Sequence, residues 1–204
     1  MAKVEFFYDY SSPWTYLAFT KIAGVCQKYN ATLEWRPILV GGIFNTINPS
    51  VYEFRERGVP AKAKYSAKDL QDWARFYGIK IGSPTVFPVN SIKALRGALV
   101  ALEHPEKFLR YSSRVFESYW GEDKDISKDD VMRGIVEEVG LDPQEFFDKI
   151  NRPEYKDRVR VNTDEVIARG GFGTPTIFVN GSMFFGNDRI VLVEEELRRE
   201  QQKN

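Results

Sequence analysis

The chain is predicted to be an α/β protein whose strands come from its two ends and whose long middle is helical. Three observations predict this. Residues 4–8 and 31–39 are short β-rich runs separated by a stretch with helical apolar spacing. Residues 41–169 carry helical signals almost throughout. Residues 176–185 return to β chemistry around an Asn180-Gly181 pair, and one more helical pattern closes the chain.

The elements follow in order. Residues 4–8 are an apolar and aromatic run of strand length, after which Trp14, Leu17, Ala18, Ile22, Val25, Cys26 and Tyr29 recur at helical spacing. The period changes between residues 9 and 13. Ser12 is a favourable N-cap there and Pro13 suits the first helical position, where its missing N–H would have no partner in any case. The first free amides and the positive end of the helix dipole therefore surround Ser12, so an anion is stabilised beside it. The plain alternative is that Ser12 only caps the helix. Residues 31–39 read as a strand with Leu33 and Trp35 on one face, and Pro37 places it at its end or at a sheet edge.

In the middle, Ser66 with Asp69 resembles a capping box opening a helix that carries Leu70, Trp73, Ala74 and Tyr77 and stops at Gly78. Ala94, Leu95, Ala98, Leu99 and Leu102 make a further stripe, and Phe108, Val115, Phe116 and Tyr119 another. Ser127-Lys128-Asp129-Asp130 opens a third helix, and Pro143 and Pro153 look like first-turn prolines of two more. These aromatic stripes are assigned to helix packing, because burying one face is what stabilises such helices. Near the end, residues 176–179 and 182–185 flank Asn180-Gly181, a type I′ hairpin signal. Asn187 or Asp188 then serves as a natural N-cap for a helix with Ile190, Val193 and Leu197 on its apolar face. No repeat or low-complexity segment occurs.

Composition narrows the function. The chain has 204 residues, 43% of them hydrophobic, which is enough for a sizeable core. Lys plus Arg and Asp plus Glu each number 29, so nothing in the charge balance favours nucleic acid or an anionic membrane. Glu5 and Asp9 interrupt the apolar start, no basic stretch precedes an h-region, and no run approaches the ~18 apolar residues of a membrane span, so a cytoplasmic location is expected. Cys26 is the one cysteine and lies on the apolar stripe of the first helix, which excludes a Cys-x-x-Cys redox pair and suits a small buried hydrophobe. His104, the one histidine, sits in Glu103-His104-Pro105-Glu106, a break between two helices. One Cys and one His make no zinc cluster of the usual ligand types, so no metal is expected. Internal nucleophiles are few, and a borrowed reactive group becomes attractive.

Four separated stretches carry a family resemblance: Phe7-Tyr8-Asp9-Tyr10-Ser11-Ser12-Pro13-Trp14-Thr15-Tyr16-Leu17-Ala18; Lys62 through Asp69-Leu70-Gln71-Asp72-Trp73-Ala74-Arg75-Phe76-Tyr77-Gly78-Ile79; Phe172-Gly173-Thr174-Pro175-Thr176; and Phe184-Phe185-Gly186-Asn187-Asp188-Arg189. In this order they resemble the thioredoxin-like fold with the large all-helical insertion of DsbA-like proteins and kappa-class glutathione transferases. Within that superfamily the chain most resembles the 2-hydroxychromene-2-carboxylate isomerases, glutathione-dependent enzymes of naphthalene-type catabolism. The resemblance implies a thioredoxin-like domain from residues 1–40 and 170–204, an inserted helical domain from residues 41–169, a homodimer, and a small aromatic substrate.

It also implies roles. Many thioredoxin-like proteins have a reactive cysteine where this chain has hydroxyls, so the thiol would belong to glutathione. Ser12 matches the family's catalytic serine, with Ser11 its neighbour. Thr174 precedes Pro175, which is cis in this fold, and its backbone would pair with the cysteinyl peptide of glutathione. Asn187 and Asp188 resemble the residues that receive the γ-glutamyl end, and Lys62 a lysine that helps bind the tripeptide. Tyr10, Ser11 and Trp14 would line the substrate pocket, although Tyr10 departs from the aliphatic residue expected there. Three other readings stay open: a kappa-like transferase that releases a glutathione conjugate, a thioredoxin-fold binding module that lost its cysteines, and a serine hydrolase recruiting His104 to Ser12.

Overall fold

The computed structural model describes residues 1–203, with side chains for all of them except 54–56. The chain runs β1 (Lys3–Tyr8), α1 (Pro13–Lys28) and β2 (Thr32–Pro37) before entering its helical middle. Helices α2 (Val40–Thr46), α3 (Ser50–Arg57), α4 (Pro60–Tyr77), α5 (Ile92–Leu102) and α6 (Pro105–Phe116) follow. A π-helical turn (Glu117–Gly121) continues α6, and α7 (Asp129–Glu138), α8 (Pro143–Ile150) and α9 (Pro153–Ala168) complete the insertion. The chain closes with β3 (Thr176–Val179), β4 (Ser182–Phe185), a 3₁₀ turn (Asn187–Arg189) and α10 (Ile190–Gln202).

The four strands form one mixed sheet in the order β2-β1-β3-β4. β1 pairs with β2 in parallel and with β3 antiparallel, bringing Phe7 opposite both Arg36 and Thr176. β1 therefore lies between the first crossover and the C-terminal hairpin, and both of its faces are covered. Val4, Phe6 and Tyr8 join the main core, while Phe7 packs on the other face with Ile38, Ile43, Val166 and Phe178. That alternation follows from the two-residue period of a strand. Pro37 ends edge strand β2, where no further ladder bond is demanded of it.

The insertion packs onto the sheet through aromatic rings. Trp35 of β2 contacts Phe108 of α6 at 5.0 Å between centroids, and Phe116 at the end of α6 meets Tyr10, Tyr16 and Phe19 at 4.8, 4.9 and 5.2 Å. Phe108, Phe116 and Tyr119 are buried, as the packing assignment required. Cys26 is buried and its thiol is pushed up to about 12 by desolvation. No helix among the described residues is long and apolar enough to cross a membrane.

Two helix starts differ from expectation. α4 begins at Pro60, so Ser66 lies inside the helix and caps nothing. A first-turn proline after Gly58-Val59, followed by Ala61 and Ala63, starts the helix earlier, and no breaker intervenes. At the other end of α4, Gly78 takes the left-handed conformation at φ +71°, as a C-terminal glycine should. Asn187 and Asp188 likewise do not cap α10: they form the 3₁₀ turn, and Arg189 stands at the helix start. The helical middle is also interrupted at residues 79–91, which run without helix to Ser91.

Candidate active site

The site forms where α1 begins, facing the loop before β3. Ser12 is extended at φ −108° and ψ 121°, and its Oγ accepts the Thr15 amide at 3.2 Å, with Pro13 in the first helical turn. The Tyr16 amide donates to the Ser12 carbonyl. These bonds leave the Trp14 amide as the first-turn N–H without a helical acceptor, next to the positive end of a 16-residue helix. Ser12 is half-buried, and its hydroxyl donates to the Thr174 carbonyl at 3.4 Å, a long bond that a better acceptor would displace.

Asp9 shapes the turn that presents Ser12. Its carboxylate is fully buried and accepts the Ser11 amide and the Val40 amide, each at 2.9 Å. Burial raises the Asp9 carboxyl above its ordinary value, against the lowering by the Ser11 amide, the Ser91 hydroxyl and the Val40 amide. Ser11 is thus fixed through its backbone, beside Ser12. The Tyr10 side chain points away from the site: it is fully buried, bonds the Ser112 hydroxyl at 2.8 Å and packs on Phe116. Tyr10 as a pocket residue is corrected accordingly, because a tyrosine in this aromatic cluster buries its ring and satisfies its hydroxyl internally.

The Thr174–Pro175 bond is cis. Thr174 lies ahead of the β3 ladder, its hydroxyl meets the Thr15 hydroxyl at 2.9 Å, and the Pro175 carbonyl accepts the Gly186 amide at 3.0 Å. That last bond ties the cis-proline loop to the turn after β4. There Gly186 has φ +100°, and a Cβ would sit 2.8 Å from the Asp188 carboxylate, so glycine is needed for that turn.

A cavity of about 560 Å³ opens between these elements. Trp14 and Thr174 line one side, Asp69 and Trp73 of α4 another, and Phe185, Gly186, Asn187, Asp188 and Arg189 the third. Asn187 is buried and its Nδ2 has no hydrogen-bond partner among the described residues. Asp188 forms an ion pair with Arg189. Burial and then the Asp188 carboxylate raise the Tyr77 phenol.

The structure thus brings Trp14, Thr174, Asn187 and Asp188 onto one cavity, with Ser12 joined to it through Thr174 and Pro175 next along the chain. Lys62 is exposed on α4, seven residues before Asp69 and so on the same helical face, but it does not line the cavity. His104 stands at the α5–α6 junction and is likewise not a lining residue. Asp69, Trp73, Phe185 and Arg189 were missed as site residues. Asp69 and Trp73 are four apart on α4, and that shared face was the available signal.

The family model described as a DSBA-like thioredoxin domain matches residues 3–198. The chain belongs to the DsbA-like thioredoxin family, and is an enzyme of that class. It is 28% identical over 200 residues to the 2-hydroxychromene-2-carboxylate isomerase of Pseudomonas putida, covering 96% of this chain and 94% of that protein. It is 29% identical over 203 residues to human glutathione S-transferase kappa 1, covering 93% and 88%. A solved structure of 2-hydroxychromene-2-carboxylate isomerase matches with a TM-score of 0.83 at 27% identity, covering 99% of this chain and 97% of that one. These similarities bear out the resemblance carried by the four sequence stretches.

Proposed function

We propose that the chain is a glutathione-dependent isomerase that interconverts 2-hydroxychromene-2-carboxylate and trans-o-hydroxybenzylidenepyruvate, in aromatic hydrocarbon catabolism. The observation that carries this reading is the Ser12 hydroxyl loosely held on the carbonyl of Thr174, a residue that lines the cavity together with buried Asn187, whose Nδ2 has no partner among the described residues. The similarity to isomerases over nearly the whole chain supports the reaction class.

The residues fit the tripeptide. Asn187, Asp188, Asp69 and Thr174 line the cavity, where the amide would donate to a carboxylate, the two acidic side chains would face an ammonium and the Thr174 main chain would pair with the cysteinyl peptide. When bound, glutathione supplies a thiolate that adds reversibly to a conjugated carbon and is recovered unchanged. A thiol ordinarily titrates near about 8.5, so the protein must favour the anion. The Ser12 hydroxyl would turn from the Thr174 carbonyl to that anion. A hydrogen bond to a charged group is worth about 1.5–3 kcal/mol, which lowers the thiol pKa by about 1–2 units. The α1 N-terminus adds to this through the Trp14 amide and the helix dipole. Trp14, Trp73 and Phe185 give the cavity aromatic walls.

Calorimetry of glutathione with wild type and Ser12→Ala, together with the ultraviolet thiolate band across pH, tests the reading. Depression of the bound thiol pKa that Ser12→Ala reverses is expected; no binding at millimolar glutathione would sink it. The similarity to glutathione S-transferase kappa 1 favours one second reading, conjugation to an electrophile. Product analysis separates the two, since an isomerase leaves the glutathione concentration unchanged.

A further inference from the structure

Thr15 is fully buried in the first turn of α1 and is engaged at both its polar ends. Its amide donates to Ser12 Oγ at 3.2 Å, and its hydroxyl lies 2.9 Å from Thr174 Oγ1. The Thr174 hydroxyl in turn donates to the Phe7 carbonyl at 3.3 Å. A hydroxyl has one proton and a carbonyl can only accept. With the Thr174 hydroxyl donating to Phe7, the Thr15 hydroxyl is the donor between the two threonines, and donation runs from Thr15 to Thr174 to the Phe7 carbonyl of β1.

The same logic holds at Ser12. Its oxygen accepts the Thr15 amide, and its own proton goes to the Thr174 carbonyl. Two bonds join α1 to the cis-proline loop, Ser12 to the Thr174 carbonyl at 3.4 Å and the Thr15–Thr174 hydroxyl pair at 2.9 Å. The shorter one is the firmer tie. Valine would fill the same space, yet the site has a β-branched residue with a buried hydroxyl, a group that costs stability unless bonded.

We propose that Thr15 is a positioning residue. It holds the Ser12 hydroxyl and the Thr174 main chain in one frame, so that the hydroxyl meets a bound cysteinyl thiolate while the main chain pairs with the peptide of the same cysteine. This rests on the glutathione-activating reading of the site, and it assigns a second hydroxyl to thiolate stabilisation, acting through Ser12 and Thr174 without touching the sulfur.

The test uses Thr15→Val, which keeps the volume and the amide, Thr15→Ser, which restores the hydroxyl, Thr174→Val, and the double Thr15→Val/Thr174→Val. The pKa of bound glutathione is read from its thiolate absorbance, and folding from circular dichroism. Thr15→Val should raise the bound thiol pKa by about half a unit to one unit, the worth of one net hydrogen bond. Thr15→Ser should restore the wild-type value, and the double variant should match Thr174→Val, because once the Thr174 hydroxyl is gone Thr15→Val removes no further bond to it. A wild-type pKa in folded Thr15→Val, or shifts that add in the double, would overturn the role of Thr15 while leaving the glutathione reading intact. Should Thr15→Val not fold, Thr174→Val and Thr15→Ser decide: an unshifted pKa in Thr174→Val overturns the proposal. An undepressed pKa in the wild type overturns both.

Discussion

The indole N–H of Trp120 donates to the main-chain carbonyl of Tyr10 at 2.9 Å, so the π-helical turn of the insertion holds the loop two residues ahead of Ser12. Trp120→Phe keeps an aromatic ring but leaves that buried carbonyl without its donor. The expected cost is about 1–3 kcal/mol in urea unfolding, with a lower kcat/KM because the Ser12 loop loses an anchor. A variant with wild-type stability and turnover would show that the bond positions nothing.

Asn187 makes a prediction whose two signs differ. Its Nδ2 is buried without a partner among the described residues, so Asn187→Leu removes an unsatisfied donor and should leave thermal stability unchanged or raised. Glutathione affinity should fall by about 1.5–3 kcal/mol, roughly 10- to 150-fold, if that donor meets a carboxylate. Titration calorimetry reads the second effect and calorimetric melting the first.

Cys26 should be chemically silent. With its thiol buried and pushed up to about 12, native protein should not react with an aromatic disulfide reagent at pH 8, and unfolded protein should release one equivalent. Cys26→Ala should keep full turnover.

Glu5 gives an acid dependence. Burial opposes its ionisation, but the Arg169 hydrogen bond at 2.8 Å, the Arg169 charge, and then Lys3 and Arg36 outweigh that and hold the carboxyl below its ordinary 4.5. A folded-state pKa below the unfolded one contributes stability that is present above the unfolded pKa and lost as pH falls through the folded one. The urea midpoint should therefore drop on acidification below about pH 4.5. Glu5→Gln should be less stable at pH 7 and should flatten that decline; an unchanged slope would remove Glu5 from it.

Much of this site was legible because it is local. Ser12-Pro13 dictates where α1 begins through one missing N–H and one capping oxygen. Asn180-Gly181 dictates the hairpin, and both residues do take positive φ, at 47° and 93°. Tyr10 was misread because its neighbours in sequence face the site, whereas its own ring is claimed by Phe116 from a distant helix. Asp69 and Trp73 escaped because an amphipathic face looks the same whether it packs on a core or lines a cavity.

The sequence by itself determined the order and type of most elements and the motifs around Ser12, Thr174 and Asn187. Those depend on dihedral preferences and caps within a few residues. The tertiary structure alone decided that Ser12 meets Thr174 across 162 positions and that α4 supplies a cavity wall. Such contacts arise from closing long loops onto a shared sheet, and the free energy that selects them lies in packing, which no local pattern records.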